Sequence, residues 1–282
     1  MDVKQPSERC YLVDSHCHLN LLVSPTSNSQ FLTDQQLCDV ASIIEQAQQA
    51  NVQKIINVGT NNIECQNCIA LAQRYANLFV TVGLHPSDIA ANWRTEFEHI
   101  KILAARAKEY AIVGIGETGV DCHRSRENLP QQLASFRAHI ELALEYNLAL
   151  VIHSRQAPEE TMTILREYKK DLKRCVLHCY AYDLDFAHEA IACKCHLGVG
   201  GPVTYPKNVQ LHTVVREIDL SHIILETDSP FLPPQIIRGK QNTPAHIHTI
   251  AQAVAELKET TLEEVACVTT HNVNNIFRLF SR

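Results

Sequence analysis

The chain has 282 residues, 45% of them hydrophobic, and a formal net charge of −6. This length suits either two average domains or a single α/β barrel, and the hydrophobic content allows a large buried core. Proteins that grip long duplex nucleic acid usually carry a basic surface, so the acidic balance argues against extended phosphate-backbone binding as the main mode. A small site where metal ions meet a phosphate stays compatible with this charge.

The eleven cysteines follow no spacing typical of a disulfide scaffold, so we expect reduced thiols in a cytoplasmic protein. One C-x-x-C pair, Cys65 and Cys68, opens a predicted helix, but no second pair or thioredoxin-like context accompanies it, which argues against a redox role. Residues 1–9 lack the apolar stretch of a signal peptide, and no window approaches the roughly 18 apolar residues of a membrane span. We expect neither membrane binding nor an obligate protein partner.

Short runs of β-branched and apolar residues alternate with stretches of helical periodicity along the chain. Eight such runs predict strands, at residues 11–16, 54–58, 79–84, 112–117, 149–153, 175–178, 196–199 and 223–226. Helix starts are indicated by Thr33 with Gln36, by Thr243 before Pro244, and by the first residues of a last helix over 261–280. Near-continuous apolar strands that alternate with helices are typical of a parallel sheet covered by helices.

Residues 114–119, Gly-Ile-Gly-Glu-Thr-Gly, fit the G-x-G-x-x-G pattern of a dinucleotide-binding loop. That loop should open a helix directly after the strand, with an acidic residue about 20 positions further on at the end of the next strand. Here three strand–helix units come first, a polar loop follows Gly119, and position 139 lies inside a predicted helix. We therefore predict that the glycines let the backbone turn tightly at the rim of a barrel, and that Glu117 is the functional residue.

Side chains capable of catalysis or metal binding recur at the carboxyl ends of the predicted strands. Six of them are imidazoles or carboxylates, namely His16, His18, Glu117, His153, His178 and Asp228. His16 and His18 project together because residues i and i+2 of a strand point to the same face. In an α/β barrel all of these ends converge, which favours a TIM (β/α)8 barrel in one domain over 1–282 above an open doubly wound sheet. Six such groups predict two metal ions about 3.5–4 Å apart, bridged by a carboxylate and a water.

Several motifs, in this order and spacing, closely resemble the TatD family of metal-dependent deoxyribonucleases. They are His16-x-His18, Gly-Glu117-x-Gly-x-Asp-x-x-Arg124, Ile-His153-Ser-Arg, His178-Cys-Tyr and Leu-Glu-Thr-Asp228-Ser-Pro, and the similarity runs from about residue 11 to the last residues. The resemblance implies a hydrolase of the amidohydrolase-like superfamily that cleaves DNA exonucleolytically from 3′ ends of single strands. It implies that His16, His18 and Asp228 hold one ion, that His153 and His178 hold the second, and that Glu117 bridges them.

The expected chemistry is attack of an activated water on a phosphodiester of DNA, with RNA left open as a substrate. Asp228 is placed to accept the proton of the water as general base. Arg124 and Arg155 are predicted to bind phosphate oxygens, with His85 and His123 as further donors. We expect Mg²⁺ as the ion in use, although ligands of this mixed type also accept Mn²⁺ or Zn²⁺. Cys122 stands where members of the family commonly carry an aromatic residue, so the contact with a base or sugar can differ here.

Two other classes of function stay open. Related barrels cleave lactones, amides or phosphotriesters, many of them with a carbamylated lysine on the fourth strand, where this chain has Glu117 and no lysine between Lys108 and Lys169. Cleavage of an aminoacyl-tRNA ester is a further activity associated with TatD-like proteins, and no sequence feature separates it from nuclease action. A scaffold that binds metal without catalysis is disfavoured by the intact set of six predicted ligands.

Overall fold

The computed structural model describes residues 10–26 and 29–279. Within these ranges, eight parallel strands pair with one another in chain order. The strands are β1 Leu12–Cys17, β2 Val52–Gly59, β3 Leu78–Val82, β4 Ile112–Asp121, β5 Ala149–Arg155, β6 Cys175–Leu177, β7 Cys195–Val199 and β8 Ile223–Leu225. Each predicted strand is confirmed, with bounds that shift by a few residues.

Eleven α-helices in the described ranges connect the strands and cover the outside of the sheet. They are α1 Leu19–Val23, α2 Asp34–Gln49, α3 Asn62–Arg74, α4 Trp93–Ala104, α5 Ala107–Tyr110, α6 Leu129–Glu145, α7 Pro158–Glu167, α8 Leu184–Ala192, α9 Val209–Glu217, α10 Ile247–Lys258 and α11 Leu262–Phe277. The predicted capping box of Thr33 and Gln36 is present at the start of α2. A 3₁₀ turn, Pro244–His246, separates Thr243 from α10, and the predicted end of the last helix at residue 280 lies outside the described residues.

The sheet nearly closes into a barrel because the backbone after β8 returns to β1. The Asp228 amide donates to the His16 carbonyl at 2.9 Å, and the His18 amide donates to the Ser229 carbonyl at 2.8 Å. Between β1 and the residues that follow β8, the Thr227 hydroxyl also donates to the buried Asp14 carboxylate at 2.6 Å. The predicted α/β barrel is therefore confirmed, and its closure places the residues after β8 directly beside those that end β1.

The glycine-rich motif lies within β4, and our prediction that its glycines form a turn at the rim is wrong. Gly116 and Gly119 have φ of +136° and +140°, a region that favours glycine. A Cβ atom on either residue would collide with the carbonyl oxygen of Val151 or His153 on β5. These glycines thus allow β4 and β5 to approach closely at an irregularity in their register, which carries Glu117 into the barrel mouth.

The amino end of the barrel is closed by hydrophobic side chains. Inward-facing residues of the strands, such as Val13, Ile56 and Phe79, form a buried cluster with Ile276 and Phe277 of α11. Burial of side chains of this size stabilises a fold by about 1.5–3 kcal/mol each. We call this cluster the apolar plug.

Two cysteines near the apolar plug are paired, contrary to our expectation of reduced thiols throughout. Cys10 precedes β1 and Cys267 lies in α11, and they form a disulfide with their Cα atoms 5.0 Å apart. The expectation was wrong because the partners are separated by 257 residues, so no local spacing indicates the pair. Cys65 and Cys68 are free and buried, consistent with the interpretation that they are not a redox pair.

Candidate metal centre

Three of the predicted ligands and Glu117 meet at the mouth of the barrel. The Nε2 atoms of His16 and His18 are 3.3 Å apart. Nε2 of His16 lies 3.4 Å from Oε2 of Glu117, and Nε2 of His18 lies 3.4 Å from Oδ1 of Asp228. All four residues are largely buried. The short distances show that their donor atoms converge on a small volume from three separate parts of the chain.

The second oxygen of Glu117 faces a different set of imidazoles. Its Oε1 lies 2.7 Å from Nδ1 of His153 and 2.9 Å from Nε2 of His178. A third imidazole, His85, places Nε2 at 3.4 Å from the same oxygen. Glu117 is 3% exposed and has one oxygen toward each group of histidines, which is the arrangement required of a carboxylate that bridges two cations.

Two imidazoles are oriented by hydrogen-bond acceptors on the side away from the centre, and a third has a carboxylate nearby. His18 donates from Nδ1 to the Val58 carbonyl at 3.0 Å, and His153 donates from Nε2 to Oδ2 of Asp121 at 3.1 Å. Nδ1 of His178 lies 3.5 Å from Oε1 of Glu226. Because an acceptor oxygen holds the proton on the outer nitrogen of His18 and of His153, the nitrogen that faces the centre can offer its lone pair to a cation, as metal-ligating histidines require.

Two carboxylates behind the histidines escaped the sequence reasoning. Asp121 entered only as part of a motif, yet its other oxygen accepts from the His123 amide at 2.8 Å, which fixes the carboxylate that holds His153. Glu226 is fully buried and accepts a hydrogen bond from the Cys179 amide. The available signal was position, since both carboxylates stand at the carboxyl end of a strand.

Opposite charges within the cluster stabilise one another. Burial opposes ionisation of Glu117, but the positive charge of His178 and the hydrogen bonds of the site hold its pKa well below the usual range. Burial also opposes the charge on His18, but the hydrogen bond and negative charge of Asp228 outweigh it and raise the pKa of His18 to about 9. The carboxylates and the imidazoles of His18 and His178 therefore favour each other's charged forms.

A cavity of about 780 Å³ opens over this centre. Some of the residues predicted to bind substrate line this cavity, and others do not. Arg124 and Arg155 line the cavity. His85 also lines it, but lies among the predicted ligands, closer to the centre than a residue that only contacts substrate. Within the described ranges, the exposed side chain of His123 and the half-buried Cys122 are not part of the cavity wall.

Among the residues that the structure describes, no helix is long and apolar enough to cross a membrane.

Comparisons with known proteins agree over nearly the whole chain. The profile of a family described as TatD related DNase matches residues 13–278. A Bacillus subtilis protein named uncharacterized metal-dependent hydrolase YabD is 34% identical over 268 residues, which cover 95% of this chain and 99% of the relative. A protein of Erwinia amylovora named 3′-5′ ssDNA/RNA exonuclease TatD is 30% identical over 259 residues, 90% of this chain and 97% of the relative. The crystal structure of YjjV, a TatD homolog from Escherichia coli, superposes with a TM-score of 0.86 at 25% identity and covers 96% of this chain and 99% of its own.

Proposed function

Because the chain belongs to the TatD related DNase family, whose relatives are named metal-dependent hydrolases, we propose that it is a nuclease that removes nucleotides from the 3′ ends of single-stranded DNA. The single observation that carries the proposal is the position of Glu117, with one oxygen toward His16 and the other toward His153 and His178. The relative named as a 3′-5′ ssDNA/RNA exonuclease supports this substrate class and extends it to RNA.

The donor set supports the proposal of two divalent cations. His16, His18 and Asp228 would hold one, and His153 and His178 would hold the other, with Glu117 between them and His85 within reach of the second. Such ions, when bound, neutralise charge on the phosphate and lower the pKa of a water molecule. Mg²⁺ is the ion proposed for use in the cell, and Mn²⁺ or Zn²⁺ also suit imidazole and carboxylate donors.

The protein side chains supply the remaining steps of hydrolysis. Asp228 is 13% exposed at its side chain and lies at the cavity floor, where its carboxylate can accept the proton of the attacking water. The guanidinium groups of Arg124 and Arg155 can donate paired hydrogen bonds to phosphate oxygens. The Val58 carbonyl and Asp121 keep His18 and His153 in one orientation, so that these ligands need not reorganise during the reaction.

A 5′-labelled single-stranded oligonucleotide tests the proposal. With Mg²⁺ or Mn²⁺, the purified chain should shorten it from the 3′ end in single-nucleotide steps, and an excess of EDTA should stop the ladder. Glu117→Gln should abolish cleavage, whereas Glu145→Gln, the same change at an exposed glutamate that ends α6, should leave the rate unchanged.

Other outcomes of the same assay decide against the proposal. Cleavage that survives both EDTA and Glu117→Gln would remove the two-metal account. If neither DNA nor RNA is cleaved while a lactone or an aminoacyl ester is hydrolysed, the function moves to that class of hydrolase. If none of these substrates is turned over although metal binds, the chain is a metal-binding scaffold.

A further inference from the structure

Phe231 exposes a hydrophobic ring on the wall of the catalytic cavity. Its residue surface is 51% exposed, whereas most large apolar side chains of the described chain are buried. The ring lies edge-on to His18, with ring centroids 6.0 Å apart and an interplanar angle of 69°. Nε2 of His18 faces the metal centre, so this contact places the phenyl ring beside the predicted ligands.

The chain holds Phe231 in place although its ring is exposed. The Phe231 amide donates to the carbonyl of Asp228 at 2.8 Å, so the ring and a predicted metal ligand share one tight turn. Asn242 is fully buried and donates from Nδ2 to the carbonyls of Thr227 at 2.8 Å and of Phe231 at 2.9 Å. The Asn242 amide also donates to the Pro230 carbonyl at 3.1 Å. A ring on a backbone fixed in this way has only its two side-chain torsions left to restrict when a ligand packs on it.

The cavity is lined by apolar and by cationic side chains. Leu21, Pro202 and Leu232 line it together with Phe231, and the two arginines already described line it as well. A nucleotide has a matching division, since its phosphate suits metal ions and guanidinium groups while its base offers a flat π face. Stacking on an aromatic ring accepts every base, because each base has such a face.

Position 122 cannot provide an equivalent ring. Cys122 packs against the hydrophobic core, and its amide donates to the carbonyl of Arg155 at 2.9 Å. Among the described residues that line the cavity, Phe231 is the only one with a phenyl, phenol or indole ring. A base that stacks on a ring of one of these three kinds at this site therefore stacks on Phe231.

We propose that Phe231 is the platform on which the base of the 3′-terminal nucleotide stacks while its phosphodiester lies at the metal centre. This inference rests on the proposed nuclease function and deepens it, since it assigns recognition of the terminal base to one side chain. We therefore expect binding of the 3′-terminal nucleotide to require a base but not to depend on which base it is.

A cycle that combines protein variants with base-deleted substrates tests the inference. The proteins are the full-length wild type, Phe231→Ala, Phe231→Trp and Ile236→Ala. Ile236 is a matched control, because it is 81% exposed in the same loop and, within the described ranges, lies outside the cavity wall. The substrates are one oligodeoxynucleotide, the same strand with a tetrahydrofuran abasic unit at the 3′ terminus, and the strand with that unit six nucleotides from the 3′ end. Initial rates of the first cleavage give kcat and KM separately.

Loss of the ring should lower kcat/KM on the normal strand by about 5- to 150-fold, mainly through KM, in line with the usual strength of base–aromatic stacking. The terminal abasic unit should impose the same loss on the wild type and leave no further effect of Phe231→Ala. The internal abasic unit should change neither result. Phe231→Trp should restore the rate, and Ile236→Ala should equal the wild type.

Two results would overturn the inference. If Phe231→Ala slows normal and terminally abasic strands by the same factor, the ring has a structural role and does not contact the base. If Phe231→Ala changes neither kcat nor KM on the normal strand, nothing stacks there. Both results leave metal-dependent cleavage by the wild type intact, so they are distinct from failure of the proposed function, in which the wild type cleaves no strand at all.

Discussion

The two ends of the barrel are built from the same eight strands and have opposite chemistry. At the carboxyl end, imidazoles and carboxylates such as His16, Glu117 and His178 are buried together. At the amino end, the apolar plug joins Phe79 of β3 to Phe277 of α11, and the Cys10–Cys267 disulfide lies close by in sequence. One end concentrates groups that are costly to bury, and the other concentrates groups whose burial stabilises the fold.

This difference indicates a division of labour along the barrel axis. Burying charged groups opposes folding unless they are paired, so the carboxyl end is maintained for chemistry rather than for stability. A change at the carboxyl end should therefore affect catalysis more than folding, and a change at the amino end should do the reverse. Four changes, in decreasing order of their effect, test whether catalysis depends on the carboxyl end and stability on the amino end.

Removal of the bridging charge should give the largest effect. Glu117→Gln should lower the rate of strand cleavage by about three orders of magnitude or more, because the stabilisation that two bridged cations give a transition state amounts to several kcal/mol. Thermal melts in EDTA should show that the variant still unfolds cooperatively. A variant that keeps more than a tenth of the wild-type rate would contradict the assigned role of Glu117.

A substitution in the apolar plug should affect stability rather than catalysis. Phe277→Ala should lower the free energy of unfolding by about 3–5 kcal/mol, since it opens a cavity among closely packed side chains. Denaturant titration measures this loss, and Phe31→Ala, at a ring that is 63% exposed, should cost less than about 0.5 kcal/mol. At a temperature where the variant is folded, its KM and metal requirement should equal those of the wild type. A changed KM would show that the two ends are coupled.

The disulfide should contribute stability alone. Replacing both Cys10 and Cys267 with serine should lower the free energy of unfolding by about 2–4 kcal/mol, because the crosslink restricts the unfolded chain. Cys38→Ser, at an exposed free cysteine, is the control and should have no effect. Equal stability of the double variant and the wild type under non-reducing conditions would contradict this role.

The smallest effect concerns a carboxylate that contacts a predicted ligand rather than an ion. Asp121→Asn should weaken the metal affinity that supports activity by about 10- to 100-fold, because the asparagine side chain has one acceptor oxygen for the two N–H donors that Asp121 satisfies, the ring of His153 and the amide of His123. Titration of activity with Mn²⁺ measures the shift. Asp88→Asn removes another carboxylate that lines the cavity, and the concentration of Mn²⁺ for half-maximal activity should not change. Equal shifts in both variants would indicate a general effect of charge.

The local patterns of the sequence predicted the barrel and the six convergent residues. Apolar runs specified the eight strands, and the i, i+2 spacing of His16 and His18 specified a shared face. The extension of β4 to Asp121 was missed because glycines usually weaken a strand, whereas Gly116 and Gly119 are needed here for the approach to β5.

Features that depend on distant side chains could not be predicted. The contact of Glu226 with His178 joins two different strand ends, and the pairing of Cys10 with Cys267 joins residues 257 positions apart. The place of His85 among the predicted ligands depends on the orientation of its side chain. The periodicity of apolar residues in a sequence carries no information about that orientation. The exposure of Phe231 likewise follows from the turn held by Asn242.

We propose that Glu117 bridges two cations, and anomalous diffraction from crystals grown with Mn²⁺ tests this role. The account predicts two anomalous peaks about 3.5–4 Å apart, one beside His16, His18 and Asp228 and the other beside His153 and His178, with the Glu117 carboxylate between them. A single fully occupied peak, or two peaks that do not share Glu117, would contradict it.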